Sequence, residues 1–444
     1  MKIVVWLTLL VLAGFLLLTL IPEFRIGGFE IKPVNILSVI RPDAKVSTAP
    51  VFANDSDSLK MEPTDSCKEN RVDIEDYSSM RTTFRQLYKS LTANRAARIA
   101  FYGDSYIEGD ILTSAFRSLL QEKYGGSGAG FIPLNTVTAQ FRTTVSSSLS
   151  GWGEYCITDK SFDTELQGIS GHYFVPRTGA TASFACRKPD GYKPDTCSVA
   201  TCYFVTDGGL QFSTTVNKNS ISLHTVDGSM HVQKISVNEK IGQLRIKIDN
   251  QGINTRFFGI SMENETGISV DNFSHRGLSG LQLGAIPATV LHDFDSIRHY
   301  DLIVLLYGLN VASANTRNYD VYRKGMENVI RYFRQNLPDT GILLISVSDR
   351  AMKKDGKFVT MPGILNLAKE QQQMAKNCEI AFWNLVEVMR LDGGIAGYVE
   401  SKPSKARTDY THINRHGGEV IAQYLFDAVE CKLKTFDRKP SDEK

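Results

Sequence analysis

An excess of charge of one sign is missing from this chain. Fifty Lys and Arg stand against 48 Asp and Glu, a net charge of +2. No basic cluster stands out, and nucleic-acid binding usually needs one, so that partner is set aside. The seven cysteines include no Cys-x-x-Cys pair and have no close histidine, which argues against a zinc finger. No His/Asp cluster at ligand spacing is present either, so the sequence implies neither a metal nor a cofactor. Internal repeats are absent, which excludes a solenoid or a propeller. What remains is ordinary in bulk. Apolar residues make up 42% and charged ones 22% of 444 residues, enough for a sizeable core and two or three domains.

One long apolar run is present, and it comes first. Residues 3 to 21, "IVVWLTLLVLAGFLLLTLI", carry no charge, with Lys2 before them and Glu23 and Arg25 after. About 20 such residues span a bilayer core, whereas the apolar part of a cleavable signal is usually about 7–15 residues before a small-residue cut site. No A-x-A site follows, and "LAGF" has Phe15 where a lipoprotein box needs cysteine. The expectation is an uncleaved anchor over residues 1–25, with signal cleavage and secretion as the alternative. Either way the body is exported, with Lys2 on the cytoplasmic side. Cys156, Cys186, Cys197 and Cys202 cluster in sequence and are expected to form disulfides in an oxidising compartment, three pairings being open. Cys378 and Cys431 read as buried thiols, and Cys67 lies in a polar linker.

Residues 26–72 are polar and turn-rich and read as a tether. Residues 73–96 have the 3.6-residue period of a helix through Tyr77, Met80, Phe84, Leu87 and Leu91. A strand at 98–102 and a helix near 111–124 follow. From 150 to 263 the pattern changes to short strands punctuated by Asp-Gly and Asn turns, which reads as a β-sandwich or jelly roll. After 264 strands alternate with helices again, at 268–274, 301–308, 341–348 and 380–385, with helices near 318–335, 362–377 and 415–433. That alternation implies a parallel sheet covered on both faces. The expected order is therefore an α/β domain begun at 73–149, an inserted β-domain at 150–263, and the rest of the α/β domain at 264–444.

Ligands of open α/β sheets bind beyond the carboxyl ends of the strands. At those ends stand "GDS" with Ser105, "NFSHRGLSG" with Gly277 and Gly280, "YGLN" with Asn310, and "DYTHIN" with Asp409 and His412. The residue types suit acyl transfer. Ser105 needs a base to become a nucleophile, His412 can be that base, and Asp409 can orient the imidazole. The backbone N–H groups of Ser105 and Gly280 and the side-chain amide of Asn310 would form the oxyanion hole.

In these blocks the chain resembles the SGNH (GDSL-type) hydrolases. Gly103-Asp104-Ser105, Gly280, Gly308-Leu309-Asn310 and Asp409-Tyr410-Thr411-His412 follow the family's order, with Gly277 a neighbouring candidate for the oxyanion glycine. Val311 replaces an Asp common in the family but outside the triad. The resemblance implies a flavodoxin-like parallel sheet with helices on both faces. Together with the interrupting β-region and "GGSGAGFIPL", it looks like the branch of peptidoglycan O-acetylesterases. The function so implied is an esterase removing O-acetyl groups from peptidoglycan or another envelope polysaccharide, at the periplasmic face of a bacterial inner membrane. The partners would be an acetylated glycan and, through residues 3–21, the membrane. An O-acetyltransferase with the same triad, or a non-catalytic glycan-binding protein, are the alternatives. His275 and His416 are the rival bases. Asp110 reads as a helix cap. Trp152, Tyr155 and Tyr173 read as core aromatics, with sugar stacking the other option, while Tyr106 and Arg350 are candidates for the cleft wall.

Overall fold

The runs that are apolar at every position become strands covered on both faces. Leu302–Leu306 is buried throughout, and Gly341–Ile345 nearly so. They lie side by side in a six-stranded sheet of a computed structural model that describes residues 24–26, 29–31, 72–187 and 196–437. Residues 1–64 and 65–444 are separate units. Of the first, only the antiparallel pair Phe24–Ile26 with Phe29–Ile31 is described. The apolar run 3–21, most of the expected tether and Cys67 lie outside the described residues. Among the described residues no helix is long and apolar enough to cross a membrane.

The sheet runs Gly267–Ser274, Ala96–Gly103, Leu302–Leu306, Gly341–Ile345, Ala381–Trp383, Glu75–Asp76. The first five are mutually parallel and the last pairs antiparallel. In chain order the parallel strands are arranged 2-1-3-4-5, the flavodoxin-like order, whose switch point lies between the first and third. Thr113–Tyr124, Asp320–Asn336, Pro362–Cys378 and Arg415–Lys434 are the longer helices, each burying one apolar stripe. The expected long helix at 73–96 is instead a two-residue strand, a turn, and a short helix, Arg85–Thr92. Asp76 explains this. Its carboxylate accepts from Ser78 N and Oγ and from Thr83 Oγ1, giving the backbone a turn in competition with the helix.

Strands form across the expected β-region, with His172–Cys186 continuous where the sequence suggested two short strands, and they belong to one nine-stranded hydrogen-bonded sheet. Two members were not read from sequence, Gly130–Ile132 and Val145–Cys156, the latter rich in serine and glycine. The long strand His172–Cys186 pairs with Gln243–Ile253 through 181–185, but with Arg256–Glu263 only at Phe174. One strand thus changes neighbours along its length, as at the corner of a folded sheet. The sheet encloses its own core around Phe174, Phe184, Phe204, Phe212, Ile246 and Phe257. Its other contacts are shared: Phe131, Tyr203 and Phe258 belong to the same apolar cluster as Phe101, Phe273 and Phe294 of the α/β part.

The cysteines depart from expectation. Cys156, Cys186, Cys197 and Cys202 are free thiols. Cys202 is fully buried among apolar side chains, and Cys156 faces two histidines, so neither meets a second sulfur. Cys186 and Cys197 do adjoin; their hydrogen bond, burial and mutual charge push the Cys197 thiol well up. Cys378 is a buried thiol as expected, whereas Cys431, half-buried on the last helix, is disulfide-bonded.

Candidate active site

Gly103 ends the first parallel strand where a side chain has no room. A Cβ there would lie 2.9 Å from Ile107 and 3.0 Å from the Leu306 carbonyl. The chain can therefore turn tightly, and Ser105 emerges at the switch point between Ala96–Gly103 and Leu302–Leu306. Ser105 Oγ lies 3.2 Å from His412 Nε2. His412 Nδ1 donates to Asp409 Oδ2 at 2.8 Å. Only an N–H can satisfy a carboxylate, so the proton sits on Nδ1, and Nε2 presents its lone pair to the serine hydroxyl.

The three-residue spacing of Asp409 and His412 works because the loop is pinned by the same carboxylate. Asp409 Oδ1 accepts the backbone N–H groups of Thr411 and His412, both at 2.9 Å, leaving Oδ2 for the imidazole. Burial alone would raise the Asp409 carboxyl, but these bonds outweigh it and hold it below its ordinary value. Outside, the hairpin Ala351–Lys354 with Lys357–Thr360 braces the loop: Phe358 stacks on Tyr410, and Ala351 N donates to the Tyr410 carbonyl. This hairpin was not read from sequence.

These groups open onto a cleft of about 700 Å³ whose lining includes Ser105, Tyr106, Gly277, Asn310, Asp409 and His412. Gly280 is not part of that lining. It is buried with φ +93°, and a Cβ would collide with Tyr307 and Met326. Of the two glycine candidates, then, Gly277 faces the cleft and Gly280 anchors the loop. The Asn310 amide donates to Leu278 O at 2.9 Å and to Asp104 Oδ2 at 3.1 Å. Both its protons are engaged, so donation to an oxyanion requires exchange of one of these bonds. Arg276, Arg407 and Arg415 also line the cleft; Arg276 is paired with Glu108 at 2.6 Å.

The rival bases stand elsewhere. His275 points away from the cleft, toward Cys156 and the Ser170 carbonyl. His416 pairs with Glu419 on the last helix. Asp110 is not a cap: it is a buried anion held by Arg142 at 2.9 Å and Arg117 at 3.4 Å. Tyr106 lines the cleft and Arg350 does not. Tyr155 and Tyr173 stack on each other, and Trp152 packs edge-on against Phe257.

Asp104 is the residue that the sequence reading passed over, although it is the centre of Gly-Asp-Ser. It is 1% exposed and accepts from Tyr106 N as well as Asn310. Burial pushes its carboxyl up from 3.8 to about 6. Between these values the native chain holds a proton that the unfolded chain has released. The proton's stabilising contribution is lost as pH rises through that window, on the order of 3 kcal/mol at 1.36 kcal/mol per unit. Asp104→Asn should flatten the fall in stability between pH 4 and pH 6 relative to the parent chain. Urea unfolding at several pH values measures it; parallel curves for the two proteins would assign the titration to another group.

Comparison with known proteins agrees with this geometry at the level of fold. The sequence matches no protein-family model, and no similar curated protein is found. Among solved structures, one of a peptidoglycan O-acetylesterase superposes with a TM-score of 0.66, covering 82% of this chain and 99% of that one at 20% identity. The chain shares the fold of that structure. A family two carbohydrate esterase from Cellvibrio japonicus matches at a TM-score of 0.27 and 9% identity, over 66% of this chain and 99% of that one. A salicylyl-acyltransferase from a tetracycline biosynthetic pathway matches at 0.29 and 12%, over 67% and 98%. At those scores neither carries weight here.

Proposed function

We propose that the protein is a serine esterase that removes O-acetyl groups from an envelope polysaccharide. The observation that carries this reading is the chain of bonds from Ser105 through His412 to Asp409 at the sheet's switch point. Ser105 Oγ attacks the acetyl carbonyl as its proton passes to His412 Nε2. The carbonyl oxygen becomes an oxyanion, received by the Ser105 N–H, a glycine N–H of the 277–280 loop and the Asn310 amide. The sugar oxygen leaves with the proton from His412, and acetyl remains on Ser105. Water then gives its proton to His412 and adds to the acyl carbon. Collapse releases acetic acid, which ionises at neutral pH, and returns the proton to Ser105. Asp409 remains an anion throughout and stabilises the imidazolium.

The glycan reading draws on the likeness to the peptidoglycan O-acetylesterase and on the cleft itself. Arg407 and Arg415 on an open wall, beside the Glu108-paired Arg276, suit a polymer bearing carboxylates. In this proposal residues 3–21 hold the enzyme at the periplasmic face of the inner membrane. Acetate release from a panel of acetylated glycans, with a neutral aryl acetate as reference, tests the function. The expected result is a higher kcat/KM on an acidic acetylated glycan than on neutral acetylated xylan. Acetyl appearing on an added sugar acceptor in place of free acetate would make the protein a transferase. Hydrolysis of the aryl acetate alone would remove the glycan from the proposal.

A further inference from the structure

Behind the cleft, three side chains far apart in sequence meet around one backbone carbonyl. Cys156 and His172 are cross-strand partners in the antiparallel sheet. His275 follows the parallel strand Gly267–Ser274, at the base of the loop that carries Gly277 and Gly280. The turn at 168–171 presents the Ser170 carbonyl to both imidazoles, His275 Nε2 at 2.6 Å and His172 Nδ1 at 3.0 Å. A carbonyl only accepts, so each ring donates an N–H there. That fixes both tautomers and leaves His275 Nδ1 and His172 Nε2 as lone pairs. Both histidines are 6% exposed. One ligand atom from each of the three residues lies within 4.8 Å of the others.

A single S–H can donate to only one of two imidazole lone pairs. The three groups are satisfied together either by a second proton, which lets both rings donate to a Cys156 thiolate, or by a centre that accepts electrons from all three, and their atoms stand close enough for the latter. We infer that Cys156, His172 and His275 form a binding site for a zinc-class divalent ion. With tetrahedral bonds of about 2.3 Å to sulfur and about 2.1 Å to nitrogen, sulfur and nitrogen ligands stand roughly 3.6 Å apart. Cys156 Sγ and His275 Nδ1 are already 3.6 Å apart. The rings lie 4.7 Å apart and 27° from parallel, so His172 must turn to aim its Nε2 at the same point. The shared carbonyl supplies what ligating histidines usually have, an acceptor for the second ring nitrogen. The room is made by glycine: a Cβ on Gly171 would lie 2.8 Å from His275 Nε2. Three protein ligands leave a fourth position for water. The ion would tie the antiparallel sheet to the loop two residues before Gly277, and it takes no part in the serine chemistry. The sequence reading found no such site because positions 156, 172 and 275 have no ligand spacing.

The test uses the full chain, titrated with Zn²⁺ and, for spectroscopy, with Co²⁺. The expected result is one equivalent bound, a thiolate-to-cobalt charge-transfer band, and a rise in thermal midpoint that a chelator reverses. Cys156→Ser should abolish the band, and His172→Ala or His275→Ala should weaken binding by more than the 10–100-fold that a lost outer partner costs. Near- and far-ultraviolet dichroism of each variant separates lost binding from lost fold. If His172→Ala unfolds, His172→Gln provides the same measurement with a side chain of similar reach. The inference is overturned if Co²⁺ gives no thiolate band with the parent chain, or if Cys156→Ser binds zinc as tightly. Rapid alkylation of Cys156 at mildly acid pH, undiminished by zinc, would also overturn it and leave a plain thiolate–imidazolium pair.

Discussion

Replacing Ser105 with alanine lowers turnover of an aryl acetate by roughly 10⁴- to 10⁶-fold and leaves the fold intact. The hydroxyl is half-buried at the edge of the cleft, so its removal takes little from the core. His412→Ala should cost a similar factor, because nucleophile and base act as one unit and removing either ends the acyl-enzyme route. Asp409→Asn should cost the same or less. It keeps the loop-pinning acceptor at Oδ1 but loses the anion that holds the proton on His412 Nδ1. Kinetics with a chromogenic acetate and labelling by a fluorophosphonate read both expectations. Label found at Ser105 in the parent chain and absent from Ser105→Ala supports the assignment. Near-normal turnover of a folded His412→Ala variant would refute it and send the search for a base back to His275 and His416.

Arg298→Met should cost about 3–5 kcal/mol of folding stability, the largest effect we expect outside the cleft. Arg298 has no exposed side-chain surface and joins the two sheets. Its guanidinium reaches Glu263 at 2.8 Å, on the last strand of the antiparallel sheet, and Asp271 at 2.8 Å, on a parallel strand. Arg98 adds a second cation on Glu263 at 3.0 Å. Burial would raise the Glu263 carboxyl; Arg298 and Arg98 outweigh it and hold the group below its usual range. Removing Arg298 leaves Asp271 buried with no cation against it, among Tyr300 and apolar rings. Urea denaturation at neutral pH measures the loss. Arg298→Lys, one charge without the two-pronged reach, should fall between the parent and methionine chains. A loss under 1 kcal/mol for methionine would mean that neighbouring groups neutralise the carboxylates without it. Because this joint and the shared apolar cluster bind the sheets together, excising 150–263 should expose core surface of the α/β part, and the segment should not come away cleanly as a module.

Local chemistry made much of this protein legible in its sequence. Strands such as Leu302–Leu306 are apolar at every position, and the longer helices carry a clear period, so the α/β order could be read without contacts. Ser105 and Asn310 were legible because each follows a parallel strand, and Asp409 and His412 because they share one short loop ahead of the last helix. The Asp-x-x-His spacing is itself a local device, closed by two backbone N–H groups on one carboxylate. What tertiary structure decided is whatever depends on groups distant along the chain. It chose Gly277 over Gly280 for the cleft wall, because Tyr307 and Met326 occupy the space beside Gly280. It engaged both protons of Asn310, made Asp110 an ion-pair centre in place of a cap, and kept Cys156 from other sulfurs by setting it against two histidines. A sequence pattern records which groups are neighbours along a strand or a turn. Burial, charge and ligand geometry are fixed by what the fold brings from elsewhere, and no period or spacing carries that.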